Sequence, residues 1–271
     1  MNLASSFKSF FRVLKEDHLL HQLGAPRGWL LRLHYEGRWA ARYSQTPPLK
    51  SIMLTVEKRK INLTLSAAYE GAFKGIFLDE EYNCLTLLLK PPLRILDLGA
   101  NIGMGSIFLS TLFPNAQFTC VEPDPRNLPL LTENLASNNI QASIYASAIG
   151  ATPGNLELRF GSDPTCSALE NSPMHSLDFK TTVVVKTVEN VLSEVGWDHV
   201  DLLKIDIEGS EDELLSKNNS WLEKINAIIL EIHPNTTSEY IASYLKPYGF
   251  NLRRIGWKTE PVYFASREHL M

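Results

Sequence analysis

The sequence predicts an α/β fold, a mostly parallel wound sheet with helices on both faces. Three observations carry that expectation. From Pro91 onward, short apolar runs alternate with segments of helical periodicity. The first run leads through Ile95, Leu96 and Asp97 into a turn with glycines at Gly99, Gly103 and Gly105. The second, Gln117 to Val121, ends in Glu122-Pro123-Asp124, placing an acid about 20 residues past the glycine turn, where adenosine sites of open sheets carry one.

Taken in order, the chain opens on an amphipathic segment. Lys8, Arg12, Lys15, Glu16 and Asp17 interrupt any apolar stretch, so neither a secretory signal nor a spanning helix is expected. Phe7, Phe10, Phe11 and Leu14 recur at helical spacing. That face is expected to pack on the main domain or on a second copy in a homodimer. A membrane-surface helix and an acceptor lid are the alternatives. Aromatic residues flank a short helix before the break at Pro47-Pro48. Residues 52–56 and 61–65 read as strands around the charged turn Glu57 to Lys60. Ala67 to Tyr82 leads into the core, with Tyr82 a candidate cofactor contact. The expected organisation is a helical extension over 1–48, a hairpin and lead-in over 49–90, and the main domain over 91–271.

Within that domain, strands are expected near 93–98, 117–122 and 143–148, and helices near 103–112 and 125–138. Asp124-Pro125 is the start signal of the second helix. Residues 155–160 and 182–188 read as added strands. The polar stretch Gly161 to Asp178 between them is a long loop, with Ser167 a candidate acceptor contact. Val200 to Asp206 is a strand, with a helix from Gly209. Ile225 to Ile232 is the next strand, and Thr237 to Leu245 a helix stopped at Pro247. Phe250 to Ile255 and Pro261 to Ala265 close the sheet as an antiparallel edge pair.

The composition is that of a globular protein: 271 residues, 44% hydrophobic and 21% charged. A net charge of −4 argues against a nucleic-acid partner, which asks for a basic face, and no membrane partner is expected. Cys84, Cys120 and Cys166 are widely spaced and form no C-x-x-C pair. A reducing, cytoplasmic setting fits them better than a disulfide framework or a zinc site.

The glycine turn selects the ligand. A dinucleotide site places glycines at G-x-G-x-x-G so that amides approach a pyrophosphate. Gly99, Gly103 and Gly105 do not have that spacing, and the carboxylate of Asp97 at the strand end suits a cation. S-adenosylmethionine (SAM) carries an ammonium and a sulfonium and no phosphate. Glu122 then accepts the ribose hydroxyls, and Ser147-Ala148-Ile149 supplies a small and an apolar residue beside the adenine.

At this point the chain resembles a known family. The phrases L-D-L-G-A-N-I-G (96–103), V-E-P-D (121–124), L-L-K-I-D-I-E-G-S-E (202–211) and I-L-E-I-H-P (229–234) resemble the FkbM-type SAM-dependent methyltransferases. The resemblance covers roughly residues 77 to 234. It implies a Rossmann-like class I methyltransferase fold and, since members mostly methylate hydroxyls of natural products and sugars, a small-molecule acceptor, free or carrier-bound. The cofactor set is then Asp97, Gly99, Ala100, Asn101, Gly103, Glu122, Pro123, Ala148 and Tyr82.

Side chains two apart share one face of a strand. Lys204, Asp206 and Glu208 therefore project together, as do Glu231 and His233. His233, which titrates near neutrality when unperturbed, is the candidate general base. Asp206 or Glu208 orients it or the acceptor, and Lys204 neutralises the acids or lowers the acceptor's pKa. Asp206, Glu208, Glu231 and His233 are also a plausible ligand set for a divalent metal that would act on the acceptor as a Lewis acid. An NAD-dependent oxidoreductase and a non-catalytic SAM-binding module are the readings from other classes.

Overall fold

The computed structural model describes residues 3–43, 45–160, 167–169, 179–255 and 261–267. Two helices open it, α1 (Leu3–Gln22) and α2 (Trp29–Arg42). The hairpin β1 (Lys50–Val56) and β2 (Arg59–Leu65) turns on Glu57 and Lys58 alone, both at positive φ. β2 thus starts two residues earlier than expected, at the turn, and β1 two residues earlier at its far end, where Lys50 pairs with Leu65 in the register that a two-residue turn sets. A helix, α3 (Glu70–Phe77), leads to the core.

The core then winds through β3 (Arg94–Leu98), α4 (Met104–Leu112), β4 (Gln117–Val121), α5 (Leu128–Ser137) and β5 (Ala142–Tyr145). After an inserted sheet come α6 (Val188–Val195), β10 (Val200–Ile205), α7 (Glu211–Ser216), β11 (Ile225–Glu231), α8 (Ser238–Leu245), β12 (Phe250–Arg254) and β13 (Val262–Arg267). The inserted strands are β6 (Ala148–Ile149), β7 (Gly154–Phe160), β8 (Ser167–Leu169) and β9 (Phe179–Lys186). The main sheet has the order β12-β13-β11-β10-β3-β4-β5. It is parallel from β11 to β5, and β13 runs antiparallel to both of its neighbours. The strand order reverses between β3 and β10, where open sheets bind ligands at their carboxyl ends.

Side-chain alternation sorts the strands between two cores. Ile95, Phe118, Leu202 and Ala227 face a core shared with α3, α4, α5, the hairpin, and Val13, Leu20, Leu30 and Leu33 of the first two helices. Leu96, Leu98, Leu203, Ile205, Ile228 and Leu230 face the other, with α6, α7 and α8. The N-terminal segment is thus built into one face of the sheet.

Four expectations change. The third core strand stops at Tyr145, and Ala148 and Ile149 pair in parallel with β9 in the inserted sheet. Asp124-Pro125 does not start α5: the backbone turns through 125–127, Asp124 binds Arg126, and the helix starts at Leu128 with a proline in its first turn. Ser167 pairs with Phe160 across β7 and β8, so the stretch from 161 to 178 contains a strand; the Ser167 side chain lies outside the described residues. In α1, Phe10, Phe11 and Leu14 are exposed, and the face that packs is Val13, Asp17 and Leu20. Asp17 explains the choice: its carboxylate accepts from the backbone N–H groups of Gly28 (2.8 Å) and Leu30 (2.9 Å), unpaired donors at the start of α2. Phe7 lies outside the described side chains.

Candidate active site

The loops after β3 and β10 meet with almost no space between them. Gly99 has φ +78, and a Cβ on it would lie 1.7 Å from the backbone oxygen of Asp206. Only glycine fits there. The Gly99 and Ala100 N–H groups both donate to the Val121 carbonyl, at 2.9 and 3.0 Å, and Asp206 N–H donates to that of Leu98 at 3.0 Å. Asn101 takes positive φ, and its side chain accepts from the Ile102 N–H at 2.7 Å.

Two cavities open at this junction. The first is a narrow cleft lined by Glu122, Pro123, Asn127, Ser147, Ala148, Ile149 and Leu158 on one side and Ile207 and Ser210 on the other. The second, of about 580 Å³, is bounded by Tyr82, Glu81, Ala100, Met104, Lys204, Glu231 and His233, and α1 contributes Arg12 and Glu16 to its wall. Gly99, Asn101, Asp206 and Glu208 line both.

In the cleft, Glu122 is buried. It accepts from the N–H groups of Asn101 (2.7 Å) and Asp124 (2.9 Å) and from the Asn127 amide (3.2 Å). Burial outweighs these bonds and pushes its carboxyl up to about 7. Ser147 is also buried, and its hydroxyl has no hydrogen-bond partner among the described residues. An unsatisfied buried hydroxyl between apolar walls is what an adenine edge would satisfy, and a carboxylate retains acceptor capacity for ribose hydroxyls. The residues present fit an adenosyl group.

The larger cavity holds the acids. Lys204 Nζ donates to Asp97 Oδ1 at 2.9 Å and to the Gly99 carbonyl at 3.1 Å, and lies 3.7 Å from Asp206. Burial works against its charge, but Asp97 and Asp206 overcome it and keep the amine an ammonium. Beyond the strand ends, Glu208 sits at positive φ in the turn. The His233 ring is held by Glu211, 2.9 Å from its Nδ1, and its Nε2 lies 3.4 Å from Glu208 and 4.0 Å from Glu231. Glu211 is fully buried and also accepts from the Ile207 and Gly209 N–H groups, at 3.3 and 3.1 Å. Ligand atoms of Asp206, Glu208 and His233 lie within 4.8 Å of one another, close enough to share a metal ion.

Of the residues expected at the cofactor, Gly99, Ala100, Asn101, Glu122, Pro123, Ala148 and Tyr82 line one or both cavities, and Asp97 and Gly103 line neither. Asp97 is enclosed because Lys204 stands opposite it in register and Ser106 donates to its other oxygen at 2.7 Å. Of the two aspartates beside Lys204, the one that faces the cavities is Asp206. Gly103 precedes the first turn of α4 at positive φ and packs against Leu131.

Lys204, Asp206, Glu208 and His233 do converge, and the carboxylates around His233 work against the general-base role expected of it. Burial lowers its proton affinity, yet the bonds to Glu208 and Glu211 and the nearby charges lift it to about 11. These carboxylates favour the imidazolium form of the ring. Sequence reasoning missed Glu211, although it closes the run I-D-I-E-G-S-E, and it missed Glu81. Burial and the Asp206 charge raise Glu81 to about 7. Nothing in its local sequence marks that burial.

Residues 97–252 match the model of the methyltransferase FkbM domain. The chain belongs to the FkbM methyltransferase family. Among its relatives, the methyltransferase sdnD of Sordaria araneosa is 28% identical over 225 residues, covering 71% of this chain and 86% of that one. The 2-O-methyltransferase NoeI of Sinorhizobium fredii is 26% identical over 161 residues, covering 54% and 66%. Among solved structures, the methyltransferase FkbM of Methylobacillus flagellatus KT superposes with a TM-score of 0.49 at 17% identity, over 68% of this chain and 46% of that one. The architecture of this FkbM chain is the Rossmann-like class I methyltransferase fold, with its reversed strand order and antiparallel β13.

Proposed function

We propose that this FkbM-family protein transfers a methyl group from SAM to a hydroxyl of a small natural product or sugar. The observation that carries the reading is the junction at Gly99, Asn101, Asp206 and Glu208, where a cleft fitted to adenosine opens into a cavity large enough for a small acceptor. NoeI, an O-methyltransferase by name, supports hydroxyl over other acceptors.

When bound, SAM supplies an electrophilic methyl on a sulfonium. The chain's own work is alignment and charge. Glu122 and Ser147 hold the adenosine in the cleft. Asp206, kept in place by Lys204, presents a carboxylate at the mouth between the two cavities. An acceptor hydroxyl must lose its proton as it is methylated. Glu208 faces both cavities and burial raises its proton affinity, so it takes that proton in place of His233. The imidazolium of His233, fixed by Glu211, stabilises the Glu208 carboxylate. Orientation of this kind is worth roughly 7–11 kcal/mol of barrier.

A second reading has an observation of its own. With Nδ1 bound to a buried carboxylate, His233 presents Nε2 beside Asp206 and Glu208, the arrangement in which a metal-ligating histidine is oriented by an outer carboxylate. A divalent ion there would polarise the acceptor oxygen. A transfer assay with labelled SAM across a panel of hydroxyl acceptors, with and without a chelator, tests both readings. Activity that survives chelation removes the metal. Labelled methyl that reaches no hydroxyl acceptor in the panel, but does reach an amine or thiol, overturns O-transfer.

A further inference from the structure

The outer face of α2 takes no part in either cavity, and its composition is unusual. Arg32, Tyr35, Arg38, Trp39 and Arg42, with Tyr43 just past the helix end, are all exposed. Trp39, Tyr43 and Tyr35 are 54%, 55% and 45% accessible. At 3.6 residues per turn these six fall within about 140° of the helix circumference, so they form one stripe of alternating guanidinium and aromatic ring. Trp39 and Tyr43 lie 5.1 Å apart between ring centroids, and the Arg42 guanidinium sits 5.9 Å over the Tyr43 ring. The only acid of the helix, Glu36, is ion-paired with Lys50 at 3.0 Å. The neighbouring α1 adds exposed Phe10, Phe11 and Leu14. Residues 1–48 hold seven Lys and Arg against three Asp and Glu, a net +4 in a chain of −4 overall.

We infer that this stripe docks α2 flat on an anionic lipid surface. Tryptophan and tyrosine place an apolar body in the acyl boundary and a polar tip at the headgroups. The arginine stems run along the same apolar boundary while their charged ends meet anionic headgroups. A convex helix face suits a flat surface, whereas single-stranded nucleic acid asks for a groove that tracks its backbone. A second copy meeting this face about a two-fold axis would set guanidinium against guanidinium. No described helix is long and apolar enough to span a membrane, and docking on its surface requires none. Because α1 packs on α2 and sends Arg12 and Glu16 to the larger cavity, the segment that meets the lipid also walls the acceptor chamber.

Co-sedimentation of the full chain with phosphatidylcholine vesicles, with and without one-third phosphatidylglycerol, tests the assignment. Binding is expected only to the anionic vesicles, weakening with salt. The double variant Arg32→Glu, Arg42→Glu should bind at least tenfold more weakly, and Trp39→Ala, Tyr43→Ala should also lose binding. Both variants should keep the wild-type urea midpoint and affinity for S-adenosylhomocysteine, since none of these side chains is buried or lines either cavity. That titration keeps failure here distinct from failure of the methyl-transfer reading. Absence of vesicle binding by the wild-type chain overturns the proposal. So does equal binding to neutral vesicles, a stripe-dependent dimer, or tighter binding to a single-stranded RNA or an acidic protein than to the anionic vesicles.

Discussion

Asp97 and Lys204 face each other across adjacent parallel strands, 2.9 Å apart and buried. The pair fixes the carboxyl ends of β3 and β10 at the point where the two cavities meet. Removing one partner leaves the other as an uncompensated buried charge, which costs about 3–5 kcal/mol, whereas apolar replacement of both is close to neutral. Lys204→Met should therefore lower the urea midpoint sharply, and the double variant Asp97→Leu, Lys204→Met should recover most of the loss. Equal midpoints for wild type and Lys204→Met would show that the pair is not holding the strands.

Glu122 should make cofactor affinity depend on pH. Its carboxyl titrates near 7 in the free protein because burial outweighs its hydrogen bonds, and ribose hydroxyls need the ionised form as acceptor. Affinity for S-adenosylhomocysteine should fall by up to about tenfold per pH unit below 7. The stability of the free protein should move the other way. Between about 4.5 and 7 the folded state holds a proton that the unfolded state does not, so this group's contribution is lost as pH rises through that window. Calorimetry and urea unfolding from pH 5 to 8.5 check both slopes, and Glu122→Gln should flatten both.

Ser147 gives opposite signs in two experiments on one variant. Its hydroxyl is buried without a partner among the described residues, so Ser147→Ala should leave the free protein as stable or slightly more so. The same change should weaken cofactor binding about fivefold, the worth of one hydrogen bond of about 1 kcal/mol. A loss of stability with unchanged affinity would place the hydroxyl outside the adenine site.

Glu211 positions His233 rather than touching the acceptor. Glu211→Gln keeps an acceptor for the Ile207 and Gly209 N–H groups but removes the charge from Nδ1. Transfer should slow by about 100-fold, in line with the cost of a 1 Å misplacement, with affinity for S-adenosylhomocysteine unchanged. The same variant should lower the His233 pKa, followed through the ring protons by NMR. An unchanged titration would detach Glu211 from the histidine.

The wound sheet was legible because strand and helix periodicities alternate from Arg94 to Tyr145 and again from Val188 to Leu245, on either side of the inserted sheet. The convergence of Lys204, Asp206, Glu208 and His233 was legible from spacing past the strand ends alone. What the sequence did not reveal was direction. Asp97 reads as a ligand acid because it precedes the glycine turn, but strand register sets Lys204 against it. His233 reads as a base, yet the fold sets it against two carboxylates just after β10, Glu208 and Glu211, more than twenty residues away in the chain. The break after Tyr145 was hidden because Ser147-Ala148-Ile149 continues the apolar pattern while changing sheets. In α1 a polar residue, Asp17, decided which face packs, a choice that hydrophobic periodicity cannot express.

Calorimetric titration of the pure, folded chain with S-adenosylhomocysteine tests the central claim most directly. The expected result is saturable heat with one site per chain, weakened by Ser147→Ala and by Glu122→Gln. No heat at millimolar ligand, or binding indifferent to both substitutions, would contradict the assignment of the cleft.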